Sequence, residues 1–215
     1  MPEPAVIDLS QPVRTGMPVY PEDPEVVFEP AAAMPPWRVT KLALGTHSGT
    51  HIDAAAHYMP GGCTIDEYPL ERFVLPAHVV PADAGAGEAV HWSALAAALP
   101  ADLTRQAVLL HTGWDRYWGE EAALDHPYLA EDAARGLVER GVALVGTDAF
   151  NVDSSVAGTT HAHQILLGAD VLIVENLTRL DLLEPGRPCT CAFVPLRLEG
   201  ADGSPIRAYA LPGGG

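Results

Sequence analysis

Basic residues are scarce: 12 Lys and Arg stand against 28 Asp and Glu in 215 residues, a formal net charge of −16. A surface this acidic repels phosphate backbones, so no nucleic-acid partner is expected. Cysteine is scarcer still. Cys63, Cys189 and Cys191 make an odd count with one C-x-C. That is neither a disulfide framework nor the two spaced pairs of a zinc finger, and it predicts the reducing cytoplasm. No apolar run approaches the roughly 18 residues of a membrane helix. Met1-Pro2-Glu3-Pro4 lacks the basic and apolar regions of a signal peptide, so no membrane association is expected. Rossmann and P-loop glycine patterns are also missing, which leaves nucleotide binding without support. What remains is a globular composition, 48% hydrophobic and 19% charged, long enough for a sizeable core and read as one domain over 1–215.

Hydrophobic patterning predicts an α/β chain with a mixed sheet. Strands are expected at Val6–Leu9, Trp37–Leu44, Val74–Val80, Val108–His111, Val142–Val145, Val171–Val174, Cys191–Leu198 and Ile206–Leu211. Pro76 argues that Val74–Val80 is an edge or a bulge. Helices are expected over Trp92–Leu99, over Leu129–Arg140 before Gly141, and over Ala162–Leu167 before Gly168. Residues 11–36 hold Pro12, Pro18, Pro21, Pro24, Pro30, Pro35 and Pro36. Proline fixes φ and removes donors, so this stretch reads as an extended arm lying across its own domain or a partner subunit.

The chemistry concentrates in residues 47–57, H-S-G-T-H-I-D-A-A-A-H. Imidazole and carboxylate are the usual ligands of zinc and its neighbours. On a helix at about 100° per residue, Asp53 would point away from His47 and His51. On a strand, His47, His51, Asp53 and His57 lie at even offsets and share a face. A straight strand at about 3.3 Å per residue would still part His47 from Asp53 by roughly 20 Å. The backbone must therefore bend, and Gly49 permits it. The expectation is a strand ending near His47, a kink at Gly49-Thr50, and His51 and Asp53 projecting together.

So short a cluster needs distant ligands. His163, opening a helix, and Glu175, ending the strand that returns from Gly168, form a suitable pair. A carboxylate after Val171-Leu172-Ile173-Val174 is costly to bury without a cation or a donor. His161 is a surface residue or a neighbour of a ligand. Asp148 or Asp153 could orient a ligand histidine or cap a loop. Cys63 has no base assigned to it and reads as a loop cysteine. Trp114, Tyr117 and Trp118 read as core or rim.

His47 through His57 resembles the cyclase-family motif H-x-G-T-H-x-D-x-P-x-H, with Ala55 where the family usually has proline. The family includes bacterial kynurenine formamidases (arylformamidases) and isatin hydrolases. The resemblance extends to Asp8-Leu9-Ser10-Gln11-Pro12, Pro18-Val19-Tyr20-Pro21, Pro60-Gly61-Gly62, Leu110-His111-Thr112-Gly113-Trp114, Gly146-Thr147-Asp148, and His163 through Glu175-Asn176-Leu177. It implies a swivelling β/β/α fold in a homo-oligomer, a dimer or tetramer. It also implies one or two divalent ions per chain, zinc or, alternatively, manganese. By the same resemblance His47, His51 and Asp53 would hold one ion and His163 would help to hold a second. Asp53 and Glu175 would bridge them, and His57 would be the acid–base residue. Tyr20 stands where formamidases of the family commonly carry a tryptophan associated with the aromatic substrate.

The function these readings imply is hydrolysis of a small aryl amide by metal-activated water, as in N-formylkynurenine to kynurenine and formate. Isatin-type opening of a cyclic amide and polyketide-type cyclisation are the enzymatic alternatives. A metal-binding module without turnover is the non-enzymatic one, and His57, a base beyond the ligand set, argues against it.

Overall fold

The computed structural model describes residues 6–31 and 36–212. The Met1–Pro4 terminus and Pro35 lie outside the described residues. In chain order the strands are β1 (Ile7–Asp8), β2 (Val27–Pro30), β3 (Thr40–Ala43), β4 (His51–Asp53), β5 (Val74–Pro81), β6 (Ala89–Val90), β7 (Ala107–His111), β8 (Tyr128–Leu129), β9 (Leu144–Thr147), β10 (Leu172–Glu175), β11 (Cys189–Ala192), β12 (Gly203–Pro205) and β13 (Tyr209–Leu211). The helices are α1 (Trp92–Leu95), α2 (Glu131–Glu139) and α3 (His161–Gly168).

Nine of these strands form one mixed sheet in the order β1-β13-β11-β5-β7-β9-β10-β4-β12. Its centre, β5-β7-β9-β10, is parallel. Such strands are buried on both faces, and their near-continuous apolar runs reflect it. Alternation sends Leu109, Leu144, Leu172 and Val174 into one core with Leu9, Phe73 and Phe193. It sends Val108, Leu110, Val145 and Ile173 to the other face, where they meet Leu95, Ala133, Leu137 and Leu166 from the three helices. The expected α/β class with a mixed sheet is what forms. Among the described residues no helix is long and apolar enough to cross a membrane.

Several expected elements are displaced. The strand expected over Trp37–Leu44 shortens to β3, which pairs only with β2, outside the main sheet. Val74–Val80 is neither edge nor bulge: β5 lies between β11 and β7. Pro76 is tolerated because the parallel ladder with β7 begins only at Ala77, so a missing donor there breaks no bond on that side. The helix expected over Trp92–Leu99 stops at Leu95. Helix α2 starts at Glu131, because Tyr128 and Leu129 pair with Ala89 and Val90 instead. Cys191–Leu198 is strand only as far as Ala192, and the Ile206–Leu211 strand resolves into β13 with Ile206 bridging Pro195.

The proline-rich segment turns at Arg14–Met17 and again at Tyr20–Asp23, returning the Gly16 amide to the Val26 carbonyl (3.2 Å), and then enters β2, the first strand of the β2–β3 hairpin. Its Met17 and Val26 are buried on this chain's own domain, and the Gln11 amide donates to Thr50 Oγ1 (2.8 Å). Up to Val26 the arm therefore packs on its own domain. The hairpin beyond it leaves Trp37 72% exposed.

Helix α2 carries a mid-helix glycine for a packing reason. A Cβ on Gly136 would lie 2.3 Å from Trp92 Cδ2, and the Arg140 guanidinium stacks over the same indole at 4.6 Å. Alanine gains about 1 kcal/mol of helix propensity over glycine, but overpacking typically costs 1–3 kcal/mol or more. The clash wins, so Gly136→Ala lowers stability by about 1–2 kcal/mol, read as a lower midpoint of denaturant unfolding. An unchanged or higher midpoint would show that Trp92 moves aside freely.

Candidate metal centre and active site

Strand β4 is flanked by β10 and β12 in antiparallel register. Glu175 lies opposite His51, and Ile173 opposite Asp53. Residues facing each other across a ladder share a face of the sheet. Ile173 belongs to the helix-side core, so His51, Asp53 and Glu175 all project under the helices, while Ile52 fills the other core. Helix α3 packs over β10 and brings His163 down onto them. The expected convergence of His163 and Glu175 across the Gly168 turn is present: Nε2 to Oε1 is 3.5 Å.

The bend falls where expected, with Gly49 at φ +66°, but β4 begins at His51. His47 therefore lies on the turn before β4 and is not the end of a strand. Its approach needs a second glycine. A Cβ on Gly203 of β12 would sit 2.8 Å from His47 Cε1.

His51 and His163 are each held through Nδ1, whereas His47 is hydrogen-bonded at both ring nitrogens, Nδ1 to Asp53 Oδ1 (2.7 Å) and Nε2 to Asp202 Oδ2 (3.0 Å). His51 Nδ1–H donates to the Gly49 carbonyl (2.8 Å), leaving Nε2 bare, 3.4 Å from Asp53 Oδ1 and 3.5 Å from Glu175 Oε2. His163 Nδ1–H donates to Asp153 Oδ2 (2.8 Å) and its Nε2 faces Asp53 Oδ2 at 3.7 Å. Such outer hydrogen bonds fix the tautomer that a metal-ligating imidazole needs. Asp153 also accepts from the Ala162 and His163 amides, so of the two aspartates it is the one that orients a site histidine. Asp148 uses its oxygens on the Thr112 and Gly113 amides, a loop cap. His161 donates to the Leu129 carbonyl and lies 3.5 Å from Asp153.

The electrostatics are those of crowded acids. Burial works against the Asp53 carboxylate, but the His51, His47 and His163 rings hold it ionised, well below the usual carboxylate range. Burial pushes Glu175 up to about 8, and the Asp53 charge adds to the push. Burial also opposes charge on His163 and His47. The Asp153 hydrogen bond with the Asp53 and Glu175 carboxylates overrides it at His163, and Asp53 and Asp202 override it at His47, so both rise to about 10. His51 goes the other way, to about 4: burial dominates, opposed by Asp53 and aided by the His47 charge. His57 is lowered, chiefly by burial.

This donor set fits a divalent cation. His47, His51 and Asp53 present ligand atoms all within 4.8 Å of one another, and so do Asp53, His163 and Glu175. Asp53 belongs to both groups, and its buried Oδ2 has no hydrogen-bond partner. A fully desolvated carboxylate oxygen is costly to leave unpaired, and a cation between the two groups would satisfy it.

A cleft of about 250 Å³ opens onto this cluster. Tyr20 and Phe150 stand in its wall with ring centroids 6.4 Å apart, and Trp118 stacks behind Phe150 at 5.9 Å. Tyr58 stacks on His163 at 4.7 Å. His57 lines the cleft with its ring 4.0 Å from that of His47. Trp114 and Tyr117 pack on each other, and burial raises the pKa of the Cys63 thiol, which does not line the cleft. Sequence reasoning missed Asp202. Its Oδ2 accepts from His47 Nε2 (3.0 Å) and His57 Nδ1 (3.1 Å). An aspartate in Gly200-Ala201-Asp202-Gly203 reads as a turn former, and nothing local signals the histidines it meets.

Residues 7–154 match the family model described as a putative cyclase. The kynurenine formamidase of Paracidovorax citrulli (strain AAC00-1) is 37% identical over 210 residues, covering 94% of both chains. Isatin hydrolase A from Ralstonia solanacearum superposes with a TM-score of 0.83 at 27% identity, over 95% of this chain and 90% of that one. A protein from Bacillus stearothermophilus described as a predicted metal-dependent hydrolase does so with a TM-score of 0.80 at 28% identity, over 95% and 97%. With the family model matched over residues 7–154, and its fold and nearly its whole length aligned with these proteins, this chain belongs to the cyclase family.

Proposed function

We infer that this protein is a metal-dependent hydrolase of small aryl amides, acting as an arylformamidase that converts N-formylkynurenine to kynurenine and formate. The observation that carries this reading is the pair of donor groups sharing the buried Asp53, with the neutral imidazole of His57 beside them. His47, His51 and Asp53 would hold one divalent ion, and His163 with Asp53 and Glu175 a second. Mixed nitrogen and oxygen donors suit zinc, with manganese the alternative. When bound, such an ion supplies Lewis acidity to the amide carbonyl and to water.

The chain's own residues do the rest. His57 Nδ1–H donates to Asp202 Oδ2, so His57 Nε2 carries the lone pair that accepts a proton from water. Water's OH adds to the formyl carbon, the C–N bond breaks, and the proton on His57 passes to the leaving aryl nitrogen. Amine and formate result, and His57 returns to its neutral form. Neither a serine nor a cysteine nucleophile is needed. Tyr20 and Phe150 offer faces for the aryl ring. Isatin-type opening of a cyclic amide uses the same groups. The 37% identity to a formamidase, against 27% to an isatin hydrolase, favours the open-chain formamide.

We assign the protein to the cytoplasm, supported by its free thiols: Cys189 and Cys191 lie with sulfurs 3.7 Å apart and unbonded. We also assign it to a homo-oligomer, dimer or tetramer. Support comes from the β2–β3 hairpin region, where Trp37, Val39 and Leu42 are more than half exposed. Light scattering should give a mass of two or four chains, and Trp37→Asp should shift it toward the monomer. A wild-type monomer at micromolar concentration rules the assignment out.

Metal binding should release protons. At pH 7 the metal-free site holds protons on His47, His163 and Glu175, whose pKa values lie above 7, and ligands must shed them. Affinity for zinc therefore weakens as the pH is lowered from 8 to 6. Calorimetry in buffers of different ionisation enthalpy should count a net release, and zero release would remove these groups from the ligand set.

Variants separate ligands from base. His51→Ala and Asp53→Ala lose metal and activity together, Asp53→Ala the more completely because Asp53 belongs to both donor groups. His57→Ala keeps its metal and loses about 10²–10⁴-fold in kcat. Elemental analysis beside steady-state hydrolysis of formylated anilines checks both. A His57→Ala protein as metal-poor as His51→Ala makes His57 a ligand.

A further inference from the structure

Asp202 reaches the site from the loop before β12, 155 residues from His47 in sequence. One of its oxygens, Oδ2, accepts from His47 Nε2 at 3.0 Å and from His57 Nδ1 at 3.1 Å. The other, Oδ1, accepts from the Thr46 hydroxyl at 3.0 Å. Its main-chain carbonyl takes the Ala54 amide (2.9 Å), tying the loop to the end of β4. The carboxylate is thus anchored on its far side, and its inner oxygen is left for the two rings.

The consequences for the two histidines are opposite in direction. His47 donates on both sides, Nε2–H to Asp202 and Nδ1–H to Asp53 Oδ1 at 2.7 Å, so Asp202 would keep the proton on Nε2 if Nδ1 gave up its own to a metal ion. A proton held on His57 Nδ1 leaves Nε2 as the acceptor. One donor group and one base are therefore turned by the same oxygen, with their rings 4.0 Å apart. We propose that Asp202 is a positioning residue that sets the ring orientation and tautomer of His57 and His47 together through this shared oxygen. The proposal rests on the hydrolase reading above for its kinetic consequence, but not for its structural one.

Two variants and two measurements test it, on the full-length metal-loaded protein. Asp202→Ala removes both acceptors, while Asp202→Asn keeps a neutral one. Long-range nitrogen–proton NMR of the imidazoles reads the tautomer without turnover. His57 should carry its proton on Nδ1 in the wild type, shift toward Nε2 in Asp202→Ala, and be restored in part by Asp202→Asn. Supporting hydrogen bonds of this kind are worth about 10–100-fold in affinity or activity. With formylated anilines, kcat should fall by that factor in Asp202→Ala, KM staying within about threefold, and Asp202→Asn should lie between. On a His57→Ala background, Asp202→Asn should cost almost nothing more, because its effect on catalysis passes through His57.

An unchanged His57 tautomer in Asp202→Ala overturns the proposal, and so does an equal loss of kcat with and without His57. Metal loss with the His57 tautomer intact also overturns it, since Asp202 would then serve His47 alone. Asp202→Asn, with nearly the shape of the native residue, carries the same comparisons if the alanine variant does not fold. Failure of the wild type to hydrolyse any aryl amide would refute the functional reading, while the NMR result would still decide the role of Asp202.

Discussion

The constraint on which the rest depends is the burial of Asp53. A carboxylate at the end of a three-residue strand, flanked on both sides by neighbouring strands, is worth several kcal/mol of penalty unless compensated. No lysine or arginine lines the cleft that opens onto it. The compensation comes from imidazoles: His47 on the preceding turn, His51 two residues back on the same face, and His163 from the helix above. Each must approach closely, and the glycines follow from that. Gly49 turns the chain so that His47 can return, and Gly203 leaves room for its ring.

Three imidazoles satisfy the charge of Asp53 but not its geometry. One oxygen stays without a hydrogen-bond partner, and a second carboxylate, Glu175, is carried into the same space by the ladder register. A scaffold shaped only for stability would not bury two acids together, since each makes the other harder to ionise. Burial and, after it, the Asp53 charge push Glu175 up to about 8. A divalent ion held by these residues would resolve that conflict, supplying positive charge in place of protons. Burial, aided by the charge on His47, is likewise why His51 stays neutral there.

Much of this was legible in the sequence because the chemistry is local. Even spacing put His51 and Asp53 on one face whatever the fold around them, and the need for a bend located Gly49. The helix–glycine–strand unit from His163 to Glu175 could be read as a return because its loop is short. What was not legible depended on pairing partners. Pro76 spoke for an edge, yet β5 is interior, because the parallel ladder starts one residue later. The helix expected from Leu129 starts only at Glu131 because Leu129, apolar and in phase with the helix, pairs with Val90, 39 residues earlier. Asp202 could not be found at all: its role exists only once β12 is laid beside β4.

The departure at Ala55 shows how the same framework absorbs a change in the motif. Proline would hold the chain rigid after Asp53, in the approach to His57. Alanine gives up that constraint but restores an amide proton, and the Ala55 N–H donates to the Tyr68 hydroxyl (3.3 Å), which in turn donates to Asp170 (2.7 Å). Ala54 keeps the extended conformation that a following proline would demand, with φ −93° and ψ 163°. Gly62 closes against the far side of the turn, where a Cβ would lie 2.7 Å from the Ala55 carbonyl carbon. The turn that carries His57 is therefore held by a hydrogen bond and close packing in place of a ring. His57 and His47 remain at the spacing that Asp202 spans, so alanine at position 55 leaves the order of the site intact.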